Sequence, residues 1–136
     1  MATNTYVPLQ TYTVTGNSTT EIIFGAGGTL SQNYTDLVII ANTKNNTGAN
    51  YNLQMQVGNG TVDTTNYAST YLGSSGNGST YSGKDTALGG YRCGLTSNSY
   101  NTPVIINLQN YANTSTTKSF ISRGSDGGGN VILIYG

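Results

Sequence analysis

The sequence contains no histidine and no tryptophan, and it has a single cysteine, Cys93. A serine or cysteine nucleophile needs a neighbouring base, most often histidine, so histidine-dependent nucleophilic catalysis is excluded. A single cysteine cannot form an internal disulfide, and we expect Cys93 to be an inert, buried thiol. Zinc sites of the usual kind are excluded as well, because they require clusters of cysteine and histidine.

Charge is equally scarce, since charged residues make up only 7% of the chain and five basic side chains balance five acidic ones. Nucleic-acid binding normally needs lysine and arginine gathered on one face. The basic residues are scattered along the sequence, so we expect no nucleic-acid partner. The acidic residues share no motif, which gives no support to a glycosidase-type pair of carboxylates. We therefore predict a protein that is not an enzyme and that uses no metal and no cofactor.

Long hydrophobic runs are also absent. Residues 1–4 have neither the basic segment nor the apolar stretch of a signal peptide. No run approaches the roughly 20 apolar residues that a membrane helix requires. The expectation is synthesis in a host cytoplasm and no membrane insertion.

Uncharged polar residues dominate what is present, because serine, threonine, asparagine and glycine supply more than half of the chain. Such a composition can favour disorder, but disordered chains usually combine high net charge with few aromatic residues. This chain is neutral and has eleven tyrosines and several aliphatic runs. We therefore predict one folded domain over residues 1–136.

The apolar residues fall in short runs that predict β-strands. Residues 37–41 are continuously apolar, which is typical of a central strand buried on both sides. Residues 51–57 and 103–109 alternate apolar and polar side chains, as in strands with one buried face. Weaker strand candidates are residues 9–15, 20–24, 119–122 and 130–135.

Glycine-rich turns between short strands complete the pattern. Asn59-Gly60 and Asn77-Gly78 predict tight turns, because both residue types accept positive φ. Glycines 127–129 separate the last two predicted strands. Since no window keeps a helical period, the predicted fold class is all-β: an antiparallel β-sandwich that is jelly-roll-like.

Residues 58–102 differ from the rest, with few aliphatic residues and five tyrosines among serine, glycine and asparagine. Two interpretations of these tyrosines remain open. They are half-buried residues of unplaced strands, or they form a contact surface for a partner or a glycan, because a rigid ring beside small polar groups is typical of adaptable binding surfaces. The five candidate contact residues are Tyr67, Tyr71, Tyr81, Tyr91 and Tyr100.

The order of several segments resembles a family of small virion structural proteins of marine bacteriophages, including phages of cyanobacteria. The similar segments lie between residues 33 and 123, and they are NYTDLVI at 33–39, LQMQVGN at 53–59, YASTYLGS at 67–74, INLQNYANT at 106–114 and KSFISR at 118–123.

The resemblance implies a component that decorates a capsid or forms a module of a tail fibre, and it brings no catalytic residue. It also implies at least one further strand after residues 130–135. We therefore expect either that the chain is incomplete at Gly136 or that a neighbouring subunit completes the sheet.

Composition and resemblance lead to two functional expectations. The first is a non-enzymatic protein of the virion surface, a capsid decoration or knob-like component. It would bind the capsid shell and other copies of itself, as a homo-oligomer, through uncharged polar contacts. The alternative is a tail-fibre or receptor-binding module that recognises host surface glycans through Tyr67 to Tyr100.

Overall fold

The computed structural model describes residues 6–16, 21–25, 30–31, 33–49, 51–59, 61–125 and 130–136. Within these ranges the chain forms β-strands and no helix, which confirms the predicted all-β class. The ten strands are β1 (Leu37–Thr43), β2 (Tyr51–Met55), β3 (Gly58–Asn59), β4 (Thr61–Val62), β5 (Tyr67–Ser74), β6 (Thr80–Leu88), β7 (Tyr91–Thr96), β8 (Thr102–Gln109), β9 (Ser119–Ser125) and β10 (Val131–Tyr135).

Six strands form the main sheet, in the order β1-β8-β9-β10-β5-β6, and every neighbouring pair is antiparallel. Strands β8, β9 and β10 follow one another as a meander, whereas β5 and β1 join its two sides from earlier in the chain. Such long returns are the connections of Greek-key sandwiches. Because β10 lies between β9 and β5, a further strand could extend this sheet only at its edges, beside β1 or β6.

The second layer consists of the antiparallel pair β2 and β7. Strand β7 crosses the main sheet and contacts β5, β8, β9 and β10. Strands β3 and β4 form a separate, very short hairpin. The arrangement of a large sheet covered on one side by a small one confirms the predicted antiparallel sandwich.

The hydrophobic core fills the space between the two layers. Alternation along β8, β9 and β10 turns every second side chain toward β7, which explains why these positions are apolar or small. The buried apolar residues are Tyr67, Tyr91, Cys93, Val104, Ile106, Leu108, Phe120, Ile132 and Ile134. Ser122, which is also buried, donates a hydrogen bond to the Cys93 carbonyl and so ties β9 to β7.

The prediction that residues 37–41 form a central strand buried on both sides is wrong in position and burial. Among the described residues, β1 is an edge strand, and the strand that it pairs with is β8. Leu37, Ile39 and Ala41 pack partly against the core, but Val38 points away from it and Ile40 is 77% exposed. The physical reason is that the second layer covers only one face of the main sheet.

Four of the other predicted strands are confirmed, and two are not formed within their described residues. Strands are confirmed within residues 51–57, 103–109, 119–122 and 130–135. Described residues 9–15 and 21–24 form no strand, although their composition favours one, because strand formation depends on pairing as well as on residue type. Residue 20 lies outside the described residues.

The predicted turn at Asn77-Gly78 is confirmed between β5 and β6, where Gly78 has φ +87° and its amide donates to the Ser75 carbonyl. Strands β3 and β4 flank Gly60, as the Asn59-Gly60 prediction requires, but Gly60 itself lies outside the described residues. Glycines 127–129 fall between β9 and β10 in the sequence, and they too lie outside the described residues.

Truncation of a core aromatic ring should distinguish this core from the surface. The Phe120 side chain is 1% exposed. Phe120→Ala should lower the free energy of unfolding by about 3–5 kcal/mol, because the cavity that it leaves between the two layers cannot collapse. The matched control is Tyr100→Ala, since the Tyr100 side chain is 57% exposed. This substitution should change the free energy of unfolding by less than about 1 kcal/mol. Urea unfolding followed by circular dichroism measures both, and equal losses would contradict the assignment of the core.

Candidate interaction surface

Two of the five candidate tyrosines belong to the core. The rings of Tyr67 and Tyr91 meet edge to face, with centroids 4.6 Å apart, and Tyr91 also packs on Phe120 at 4.6 Å. The Tyr67 hydroxyl donates to the Asp63 carbonyl at 2.8 Å, and that of Tyr91 donates to the Lys118 carbonyl at 2.8 Å. Burial raises the pKa of both phenols. Their hydroxyls therefore fasten loops to the core, and neither ring is accessible to a partner.

Tyr71 and Tyr81 lie on the same inner face, on the paired strands β5 and β6, where each ring covers a glycine of the opposite strand. Tyr71 pairs with Gly83, and Gly73 pairs with Tyr81. A methyl group added at either glycine would overlap the ring that covers it. The two tyrosine rings thus fill the space that the glycines of the facing strand leave without side chains.

An arginine from the second layer closes this region. The guanidinium of Arg92 lies over the Tyr71 ring, 4.5 Å from its centroid, and its Nη1 contacts Asp85 Oδ2 at 3.3 Å. The Arg92 amide donates to Ser69 Oγ at 3.2 Å. A cation over an aromatic ring and a paired, partly buried carboxylate stabilise packing. The group therefore joins β7 to the β5–β6 end of the main sheet.

Tyr100 alone among the five is more than half exposed, at 57%. It lies in the loop between β7 and β8, where its amide donates to Ser97 Oγ at 3.3 Å. Of the two interpretations that the sequence left open, four of the five tyrosines fit the first, as residues of strands turned toward the core. The structure leaves one isolated ring for contact and places the others inside or against the core, because β5, β6 and β7 turn them to the inner face.

The exposed apolar residues lie instead on the opposite side of the main sheet, which we call the outer face. It comprises the side chains of β1, β5, β6, β8, β9 and β10 that point away from β7. Its exposed large apolar members are Val38, Ile40, Leu72, Ile121, Val131, Leu133 and Tyr135, and Ile105 lies among them partly exposed. The sequence leads us to expect contacts through uncharged polar groups, whereas this exposed face is mostly aliphatic.

The strand register makes the outer face continuous. Leu133 pairs with Leu72 on one side and with Arg123 on the other, and Ile105 lies between Arg123 and Ile40. Five adjacent strands contribute, so at about 4.8 Å per strand the row spans roughly 19 Å. Arg123 interrupts the row, but the aliphatic side chains on both sides of it make the surface mostly apolar, and large exposed apolar surfaces mark sites of interaction.

The charged side chains of the outer face are few and of one sign. Among outward-pointing residues of the described strands only Arg123 and Lys84 carry charge. A shallow depression beside Arg123 is lined by Val38, Asn107 and Ile121, and also by Tyr6 and by the acidic Asp36, which precedes β1. The surface is therefore suited to an apolar partner with at most a small negative charge.

A signal for this surface is present in the sequence. Residues 37–41, 103–106 and 131–135 each place apolar side chains at consecutive positions, on both faces of their strands. Runs of this kind are typical of strands covered on both sides. Sequence reasoning took residues 37–41 as evidence for a central strand, whereas the structure shows that the second cover does not come from the described part of this domain.

Potential metal ligands are dispersed in the part of the chain that the structure describes. No group of three or more histidine, cysteine, aspartate or glutamate residues there could hold a metal ion. In the same ranges no helix has the length and apolarity to cross a membrane. The thiol of Cys93 is fully buried, and burial raises its pKa to about 12.

Comparison with known proteins found no match among protein-family models, curated proteins or solved structures.

The glycine under Tyr71 provides a test of the tyrosine packing. Gly83→Ala should lower the unfolding free energy by about 1–3 kcal/mol, because the new methyl overlaps a rigid ring held in place by Arg92. Gly48→Ala is the matched control, since no atom lies within 4 Å of a methyl group at Gly48. Thermal and urea unfolding give both values, and similar stability of the two variants would contradict the packing.

The buried thiol yields a prediction about reactivity. Only the thiolate reacts with a disulfide reagent, and a pKa near 12 lowers the thiolate fraction of Cys93 at pH 8 about a thousandfold relative to an ordinary thiol. We expect native protein to react with Ellman's reagent at least a hundredfold more slowly than protein in 8 M urea. Comparable rates in the two solutions would show that Cys93 is accessible.

Proposed function

We propose that this chain is a non-enzymatic structural protein of a bacteriophage virion surface, a capsid decoration or knob-like component that works by docking. The observation that supports this best is the outer face, which offers a broad, mostly apolar area for protein contact. The resemblance of residues 33–123 to virion proteins of marine phages agrees with such a role.

The chemistry of the surface favours association that depends little on salt. Only Arg123 and Lys84 carry charge on the outer face, and exposed charges are screened within about 10 Å at 0.1 M salt. Burial of aliphatic side chains contributes roughly 1.5–3 kcal/mol for each one fully covered. A particle component of this kind would remain attached across a wide range of ionic strength.

The alternative, recognition of host glycans, has less support from the geometry. Tyr67 and Tyr91 are buried, and Tyr71 and Tyr81 pack against the core, so a stacking platform for sugars would rest on Tyr100 alone among the five. We therefore favour the docking role.

Purified particles of the phage that encodes the chain provide the test. We expect mass spectrometry to find the protein in them at many copies, and a cryo-electron microscopy map to show its sandwich on the particle exterior, with the outer face of the main sheet against protein. A wash in 0.5 M NaCl should leave it attached. Absence from washed particles, or an outer face directed into solvent throughout the map, would contradict the proposal.

A further inference from the structure

A second exposed apolar region lies in the same chain, before β1. Described residues 6–16 and 21–25, which we call the arm, form no strand. A hydrogen bond from the Gly25 amide to Gln10 Oε1, 2.9 Å long, joins its two parts. Every large apolar side chain of the arm is exposed, and these are Tyr6, Val7, Leu9, Tyr12, Val14, Ile22, Ile23 and Phe24.

The arm and the outer face have complementary chemistry. The arm is apolar and of high β propensity, and its single charged residue in the described ranges is Glu21. The outer face is apolar, and its charged residues are Arg123 and Lys84. Tyr6, at one end of the arm, already reaches the depression beside Arg123. Asp36 lines the same depression and partly offsets the two cations, so the match is mainly one of hydrophobicity, with Glu21 facing a surface of small net positive charge.

Reach alone does not prevent the arm from covering the outer face of its own sheet. Eleven residues join Gly25 to Leu37, and an extended chain of that length spans at most about 40 Å. The six-stranded sheet is roughly 24 Å wide. Even so, in the single chain Ile40 is 77% exposed and Tyr12 is 51% exposed, so each surface still lacks a cover.

We propose that the chain self-associates by arm exchange, in which the arm of one copy covers the outer face of a second copy. This inference rests on the proposed function only in taking the outer face as a contact surface. The exchange brings together two apolar regions that one copy leaves in water, and it places Glu21 near the cations of its neighbour. An arm laid along β1, the edge strand of the sheet formed by the described residues, would also add backbone hydrogen bonds.

Photo-crosslinking of a mixture of chains labelled with different nitrogen isotopes tests the exchange directly. The full-length chain, with Tyr12 replaced by p-benzoylphenylalanine, is prepared in ¹⁴N and ¹⁵N forms, mixed under denaturing conditions, refolded and irradiated. We expect cross-links from the arm to peptides of β1, β9 or β10, with half of them joining a light to a heavy chain. Cross-links only within one isotope would show that the arm covers its own sheet and would overturn the proposal.

Sedimentation equilibrium supplies the second measurement. Ile40→Glu places a charge on the outer face at a side chain that is exposed in the single copy, so the domain should still fold. The association constant of this variant should fall at least tenfold. Thr61→Glu, exposed in the β3–β4 hairpin, is the matched control and should associate like the unaltered chain. An unaltered chain that is monomeric at 100 μM, or an Ile40→Glu variant with unchanged association, would overturn the proposal.

The two proposals fail separately in these experiments. A chain found on particles but monomeric in solution, without cross-links between copies, would leave the virion role and overturn arm exchange. A chain that exchanges arms but is absent from particles would support arm exchange and overturn the virion role.

Discussion

The structure depends on one imbalance, a six-stranded sheet with two apolar faces and a second layer that covers only one of them. Strand β7 lies across β5, β8, β9 and β10 and closes the core with Tyr91 and Cys93. On the outer face of the same sheet, Leu72, Leu133 and Ile40 stay in contact with water. Because uncovered aliphatic area is unfavourable and roughly proportional to its extent, the sheet is expected to acquire a second cover.

Tyrosine replaces aliphatic residues in the part of the core that the sequence makes hardest to recognise. The region from β3 to β7 is rich in serine, glycine and asparagine, yet Tyr67 and Tyr91 bury their rings while their hydroxyls bond to loop carbonyls. Tyr71 and Tyr81 fill the space above glycines in the facing strand. A ring with a polar end can therefore build a core in a sequence with few leucines and valines, provided that each hydroxyl has a partner.

Much of the fold could be predicted from periodicity. The alternation at residues 103–109 specifies which side chains of β8 enter the core, and the run at residues 130–135 gives β10. The position of β1 could not be predicted, because residues 37–41 have the composition of a central strand and only the pairing shows that β1 is an edge. The tyrosines of residues 67–100 were equally ambiguous, since composition does not tell which face of a strand is covered. The outer face was missed because its apolar residues were attributed to the interior of a single domain.

Solvent accessibility of the outer face tests the central claim most directly. Hydroxyl-radical footprinting with mass spectrometry should be carried out on the full chain at concentrations where it associates and after dilution to single copies. The account predicts that oxidation of Ile40, Leu72 and Leu133 falls severalfold on association, while oxidation of Tyr100 stays the same. Equal oxidation of the outer face in both states, in a chain that has associated, would contradict it.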